Sequence, residues 1–178
     1  MKRRTGLIVF FVTAFLGIVV MSIASSLRPK RGPLAAGTVI DYLLIEKKAH
    51  RLTLFSQHRR LRSYKIALGR GGLGPKLKAG DAKTPEGLYR VERHLARGKY
   101  PYALKIDFPS EKDLAMARRR GARTGGEIFI HGMRSGFGWI GAWHRLIDWT
   151  SGSIAMTDAE MSELYHAVPD ETPVEIRG

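Results

Sequence analysis

From Thr38 onward the chain is written as short apolar-rich runs, each closed by a polar or glycine-bearing turn, and this spacing restricts the fold more than any other feature. Val39–Ile45 and Leu52–Phe55 are separated by Lys47-Lys48-Ala49-His50, and a second polar turn, Ser56–Arg60, leads into Arg62–Leu68. Short alternating runs bounded by polar turns predict strands, and their close succession predicts a β-meander. Gly69–Gly80 is too irregular for a strand or a helix. Gly87–Val91, Leu104–Ile106, Glu127–His131 and Pro173–Ile176 read as further strands. Two helices interrupt them. Ser110 with Asp113 three positions on forms a capping box that opens a helix over Glu111–Arg120. Thr157 with Glu160 does the same for a helix reaching about Ala167, which Pro169 stops. The pattern is that of a mostly β domain with two short helices and no internal repeat.

The N-terminus has a different character. Met1-Lys2-Arg3-Arg4 precede an uncharged stretch, Thr5–Leu27, whose apolar heart is Leu7–Met21. A helix needs roughly 20 apolar residues to span a bilayer, whereas the apolar core of a cleaved signal runs to about 7–15. The stretch predicts a membrane anchor in contact with cytoplasmic-membrane lipid; a signal peptide cleaved near Ala24-Ser25-Ser26 is the alternative. No polar face exists on which it could pack as a soluble helix. Lys2, Arg3 and Arg4 favour a cytoplasmic N-terminus, although Arg28, Lys30 and Arg31 reduce the contrast. The rest of the chain is therefore expected in the cell envelope, on the periplasmic or extracytoplasmic side. Arg28–Gly37 is punctuated by proline and glycine and reads as a linker. The expected organisation is a signal-anchor or signal peptide over 1–27, a linker over 28–37 and one domain over 38–178.

Charge bears on partners without choosing one. Against 16 acidic residues stand 30 lysines and arginines, a formal charge of +14. Six of those cations precede residue 38, where there are no acids, so the domain keeps 24 against 16, an excess of eight. Nucleic acid, anionic lipid and anionic cell-wall polymer all suit that excess. The basic residues are spread out rather than interleaved with aromatics, and no nucleic-acid-binding module is recognisable, so nucleic acid is not expected as a partner. There are no cysteines, which excludes disulfides, thiolate metal ligation and thiol chemistry. The histidines lack metal-ligand spacing, and no metal or other cofactor is expected.

Two segments carry residues suited to chemistry. His131 closes an apolar strand and is followed at once by Gly132. Taken alone, a histidine in that place is more often structural than catalytic. The second segment, Asp148-Trp149-Thr150-Ser151-Gly152-Ser153-Ile154-Ala155-Met156-Thr157, sets a hydroxyl directly after a glycine. A nucleophile on such a turn can have nearby backbone N–H groups as an oxyanion hole, and a glycine lets substrate approach the backbone closely.

In order along the chain, Ala67–Val91 (ALGRGGLGPKLKAGDAKTPEGLYRV), Gly125–Gly132 (GGEIFIHG), Asp148–Thr157 (DWTSGSIAMT) and Val168–Ile176 (VPDETPVEI) resemble the L,D-transpeptidase (YkuD-like) catalytic domain family. The resemblance covers roughly Val39–Ile176. It implies a mainly β, sandwich-like fold and a cysteine enzyme of peptidoglycan. In that family the cysteine attacks a tetrapeptide stem at the bond before its terminal D-alanine, and the acyl group passes to an amine or to water. Carried onto this sequence, His131 is the general base, the nucleophile falls at Ser153, and Gly152 and Ser151 flank it. Thr84 and Gly87, with the loop Gly69–Gly80, line the substrate cleft. The implied partners are peptidoglycan stem peptides.

The sequence departs from that family at its central position. Ser153 stands where the family keeps cysteine, and no other cysteine exists to replace it. A hydroxyl must lose its proton during attack, whereas a thiol is partly ionised already. A loss of about three to four decades in rate corresponds to a barrier raised by about 4–5.5 kcal/mol. The expectation is an acyl-transfer site of impaired turnover; a membrane-anchored pseudoenzyme that binds peptidoglycan without cutting it is the alternative. Asp148 is the nearest acid in sequence, and a capped turn or surface carboxylate suits it better than orienting His131. Arg145, beside His144, has the fork that matches a stem-peptide carboxylate, and bracing a loop is its other reading. Trp139, Trp143 and Trp149 could form a glycan platform or pack in the core.

Overall fold

A computed structural model describes residues 32–178. The expected anchor or signal segment lies outside the described residues; among them, no helix is long and apolar enough to cross a membrane. From Leu34 the chain forms one compact unit. The linker docks onto it early: the Leu34 N–H donates to Glu163 Oε1 (2.5 Å), and the Leu34 side chain packs against the core.

Eight strands make a single sheet in the order β3-β2-β1-β8-β4-β5-β6-β7. β1 (Tyr42–Glu46), β2 (Arg51–Ser56) and β3 (Arg59–Lys65) form the expected antiparallel meander. The β2–β3 turn places Gln57 and His58 at φ values of 50° and 60°, the left-handed pair that matches strand twist in a two-residue hairpin. β8 (Pro173–Arg177) then inserts between β1, to which it is parallel, and β4 (Gly87–Ala96), to which it is antiparallel. β5 (Tyr102–Ile106) and β6 (Phe129–His131) continue antiparallel, and β7 (Ile154–Ala155) lies parallel to β6.

The strands form one curled ladder rather than two separate sheets, and β4 shows why. Its first half, Gly87–Arg90, pairs with β8; its second half pairs with β5, across a register shift between Val91 and Arg93. Such a shift bends and twists a strand, so one strand serves both halves of the sheet. The ends of the curl then meet. The sequence predicts a strand running to Leu68, but β3 ends at Lys65, and Ile66, Ala67 and Leu68 are all buried. The β2–β3 ladder ends at the Arg51–Lys65 pair, and beyond it the chain leaves β2. Instead Ala67 bridges to Ala155 and Gly69 to Thr150, tying the segment after β3 to the segment around β7.

α1 (Glu111–Arg119) and α2 (Asp158–Ala167) begin where the capping boxes put them, with both reciprocal bonds present at Ser110/Asp113 and at Thr157/Glu160. α2 buries Met161 and Leu164 in a core built from Leu43, Ile45, Leu104, Ile130, Val174 and their neighbours. A 3-10 stretch over Gly138–Leu146 and the two-residue β7 have no counterpart in the sequence pattern.

Candidate active site

Strand pairing brings the two chemical segments together. Ile130 is in register with Ile154 and His131 with Ala155 in the parallel β6–β7 pair. Extending that register back sets Ser153 opposite Phe129, and the Phe129 N–H donates to Ser153 Oγ (3.2 Å). Ser153 therefore sits just before β7, beside the strand that His131 closes. The sequence separates them by more than twenty positions.

The loop before β7 is set by contacts that exclude a side chain. Gly152 has φ +130°, and a Cβ there would lie 2.8 Å from the Lys83 carbonyl oxygen and 3.2 Å from Ile128 Cδ1. Only glycine accepts both the dihedral and the space. Thr150 holds the turn from inside: Gly152 N–H donates to its Oγ1 (3.1 Å), and that hydroxyl donates to the Ser153 carbonyl (2.6 Å). The Gly152 amide, expected among the oxyanion donors, is thus engaged with Thr150. Thr84 is buried behind this turn, where its Oγ1 accepts from Gly69 N–H (3.0 Å). Gly87 opens β4 beside a different cavity. Ser151 is exposed and lines the cavity above Ser153 and also an adjoining one of about 320 Å³.

His131 is 1% exposed. Its Nδ1 lies 2.6 Å from the Gly132 carbonyl oxygen. A carbonyl can only accept, so Nδ1 carries the proton and Nε2 keeps its lone pair in the neutral ring. Burial lowers the pKa to about 4, with Lys99 and His144 adding repulsion and the Gly132 bond opposing them. At neutral pH the imidazole is an uncharged base. Tyr100, from the β4–β5 connection, stacks on it with ring centres 3.9 Å apart, and Trp149 meets it edge-on at 5.9 Å. Ser153, Tyr100 and Trp149 line one cavity of about 550 Å³, together with Lys99, Glu127 and Arg134.

The other candidates are divided by the fold. Asp148 does not reach His131: it accepts from Leu68 N–H (2.8 Å) and pairs with His50 (3.0 Å). Arg145 pairs with Glu160 at the start of α2 and is not among the residues lining the cavity. Trp149 forms cavity wall, whereas Trp139 and Trp143 are 82% and 57% exposed. Sequence reasoning missed three residues, Tyr100, Lys99 and Lys47, and named His144 only together with Arg145. Tyr100 and Lys99 sit on a hairpin tip with no motif to mark them. His144, 6% exposed, accepts from Trp149 Nε1–H (3.3 Å). Lys47 looks like a turn lysine yet is 1% exposed and donates to the carbonyls of Gly74 and Thr84 and to Glu86. Its alternation with Ile45 on the core face of β1 was the only available signal.

Residues 40–176 match the sequence model of YkuD, the L,D-transpeptidase catalytic domain. The chain belongs to that family. YafK of Escherichia coli strain K12, whose name assigns it to the L,D-transpeptidases, is 38% identical over 97 residues. That match takes in 51% of this chain and 37% of YafK, so the chain spans well under two thirds of its relative's length. Among solved structures, the helical cell shape determining protein Pgp2 from Campylobacter jejuni is 26% identical, with a TM-score of 0.62 over 79% of this chain and 48% of Pgp2. A cysteine-to-serine variant of Enterococcus faecium L,D-transpeptidase shares the fold, with a TM-score of 0.51 and 17% identity over 79% of this chain and 50% of that one. The family fold, a mainly β curled sheet with few helices, is the one described above.

Proposed function

We propose that this domain is a peptidoglycan L,D-transpeptidase-like acyl-transfer site for tetrapeptide stems, held at the outer face of the cytoplasmic membrane and slowed by Ser153. One observation carries the reading. A buried, neutral histidine with a free Nε2 lone pair ends the strand beside Ser153, and the Tyr100 ring stacked on it lines the same cavity as Ser153.

The step runs as follows. Ser153 Oγ attacks the carbonyl carbon of the amide before the terminal D-alanine while His131 Nε2 takes the hydroxyl proton. The tetrahedral adduct collapses to a Ser153 ester, and His131 returns the proton to the departing amine. An acceptor amine or water then releases the acyl group by the reverse sequence. Two features slow it. The orienter of His131 is the Gly132 carbonyl, which stabilises an imidazolium less than a carboxylate does. Ser153 also accepts from Phe129 N–H, a contact that makes its oxygen less nucleophilic. These same features favour the second reading, a membrane-anchored domain that binds stems without cleaving them.

Intact-mass measurement after incubation with a tetrapeptide stem or a carbapenem, an acylating ligand of this family, tests the proposal on the natural chain, Ser153→Cys and Ser153→Ala. Adducts are expected on the cysteine variant, about three to four decades more slowly on the natural serine, and none on alanine. No adduct on the cysteine variant would remove the active-site assignment. Equal rates on serine and cysteine would remove the argument for impairment. A natural chain that binds the stem yet never acylates would establish the second reading.

A further inference from the structure

The expected carboxylate ligand, Arg145, is paired with Glu160, yet the cavity beside Ser153 has two cations of its own. Lys99 stands at the tip of the β4–β5 connection and Arg134 in the segment after β6, far apart in sequence. The fold ties them together. Ser135 N–H donates to the Lys99 carbonyl (3.0 Å), and Ser135 Oγ donates to the Gly98 carbonyl (3.1 Å). The residue next to Arg134 is therefore bonded to the backbone at Lys99, and both cations line the cavity. Lys99 Nζ lies 5.3 Å from the centre of the Tyr100 ring, and that ring stacks on His131.

Neither cation has an acidic partner among the described residues. The one acid on the cavity wall, Glu127, is already faced by Lys105 (3.0 Å) and Arg93 (3.5 Å). The cavity wall thus carries two positive charges without an acidic partner, one of them beside the Tyr100 ring. The field of Lys99 also reaches His131, where it opposes protonation. An anion seated between the cations would relieve that repulsion at the moment the imidazole takes a proton.

We propose that Lys99 and Arg134 together form a carboxylate-binding rim that selects acyl donors with a free carboxylate next to the scissile amide. This rests on the stem-peptide reading above. The rim would hold the terminal carboxylate of a tetrapeptide and so set the amide over Ser153. A donor whose terminus is amidated lacks the charge and has no other cation on this wall to replace it.

The experiment compares a tetrapeptide stem with the same peptide amidated at its C-terminus. Binding is measured on the natural chain by calorimetry, and acylation on the Ser153→Cys chain by intact mass. The free acid is expected to bind, and to acylate at sub-saturating concentration, at least tenfold better than the amide. Lys99→Met and Arg134→Met should each lower the free-acid values about tenfold and leave the amide values unchanged, with the maximal acylation rate little altered. Lys99→Arg should retain the preference. Equal handling of acid and amide by a Ser153→Cys chain that still takes up a carbapenem would overturn the rim alone. Equal losses on acid and amide in the Met variants would overturn it as well, by showing that the cations support the fold. A Ser153→Cys chain that takes up neither peptide nor carbapenem, in a natural chain that binds neither peptide, would overturn the parent reading with it.

Discussion

Two long connections meet at the turn before Ser153, and they are built differently. The glycine-rich one, 66–86, is pinned by buried charge. Lys47 reaches into it with three acceptors, and Asp81 collects the backbone N–H groups of Leu77, Lys78 and Lys83 as well as the Lys76 ammonium. The other, 132–153, is tied at its base, where Met133 N–H donates to Asp158 (2.6 Å), and by the Arg145–Glu160 pair. Between those ties it is a 3-10 stretch interrupted at Gly141, with Trp139, Trp143, Leu146 and Ile147 exposed. His144 Nε2 and Arg145 Nε are buried there without a hydrogen-bond partner. Buried polar groups that are fully satisfied specify one conformation, and unsatisfied ones weaken that specification. The first connection is a frame behind the Gly152 turn; the second is an adjustable wall.

Removing the frame's central charge should break this contrast most sharply. Lys47→Met leaves Glu86 and the carbonyls of Gly74 and Thr84 without their cation, and a loss of about 3–5 kcal/mol is expected in urea unfolding. Amide exchange should accelerate over residues 71–83 and stay unchanged over 138–147. The opposite outcome would show that Asp81 and the backbone hold the glycine-rich segment without Lys47.

Acid should separate the two connections by pH. Burial lowers the pKa of His131 and of His144 to about 4, below the ordinary histidine value. Their neutral forms stabilise the native state fully above the unfolded value near pH 6.5 and progressively less down to pH 4, by at most about 3 kcal/mol each. Asp81 behaves differently: burial would raise its pKa, but Lys76 and the three backbone N–H groups hold it at about 2. Its contribution, about 2 kcal/mol, persists above pH 4 and is lost between there and pH 2. Unfolding followed by Trp fluorescence should therefore show the tryptophan-bearing wall weakening first. His144→Gln should roughly halve the upper limb, leaving the His131 part, and leave the lower one unchanged.

A smaller effect is expected where the frame touches the turn. Gly152→Ala meets the Lys83 carbonyl and an unfavourable φ, at a cost of about 1–3 kcal/mol. In the Ser153→Cys chain it should also depress acylation; full retention of acylation would mean that the turn can shift without cost. The smallest effect belongs to the wall's exposed face. Trp139→Ser should change stability by no more than about 0.5 kcal/mol, because the ring makes little buried contact. A larger loss in thermal unfolding would identify Trp139 as a structural residue.

Much of the fold was legible locally. The meander, both capping boxes and the β8 run appear near the positions their residues predict, because each rests on contacts within a few residues. The 3-10 stretch was not legible: Gly138–Leu146 has no regular period, and it folds as it does through Asp158 and Glu160 of α2. β7 was hidden for a related reason, since two residues make a strand only where β6 and Ala67 already offer partners. At the site, His131, Gly152 and Ser153 were visible in their segments, whereas Tyr100 and Lys99 were not. A hairpin tip gains its role from what the sheet carries it to.

Residue type and local spacing were enough to give the family and the order of most strands and helices, since these depend on short stretches of chain. Only the tertiary structure decided which polar groups face one another. Parallel pairing of β6 with β7 brought the Ser153 segment beside His131, and the curl gave Asp148 and Arg145 other partners. Those outcomes depend on a curl that brings distant segments within hydrogen-bond range, and hydrogen bonding and charge act over that range, not over sequence distance.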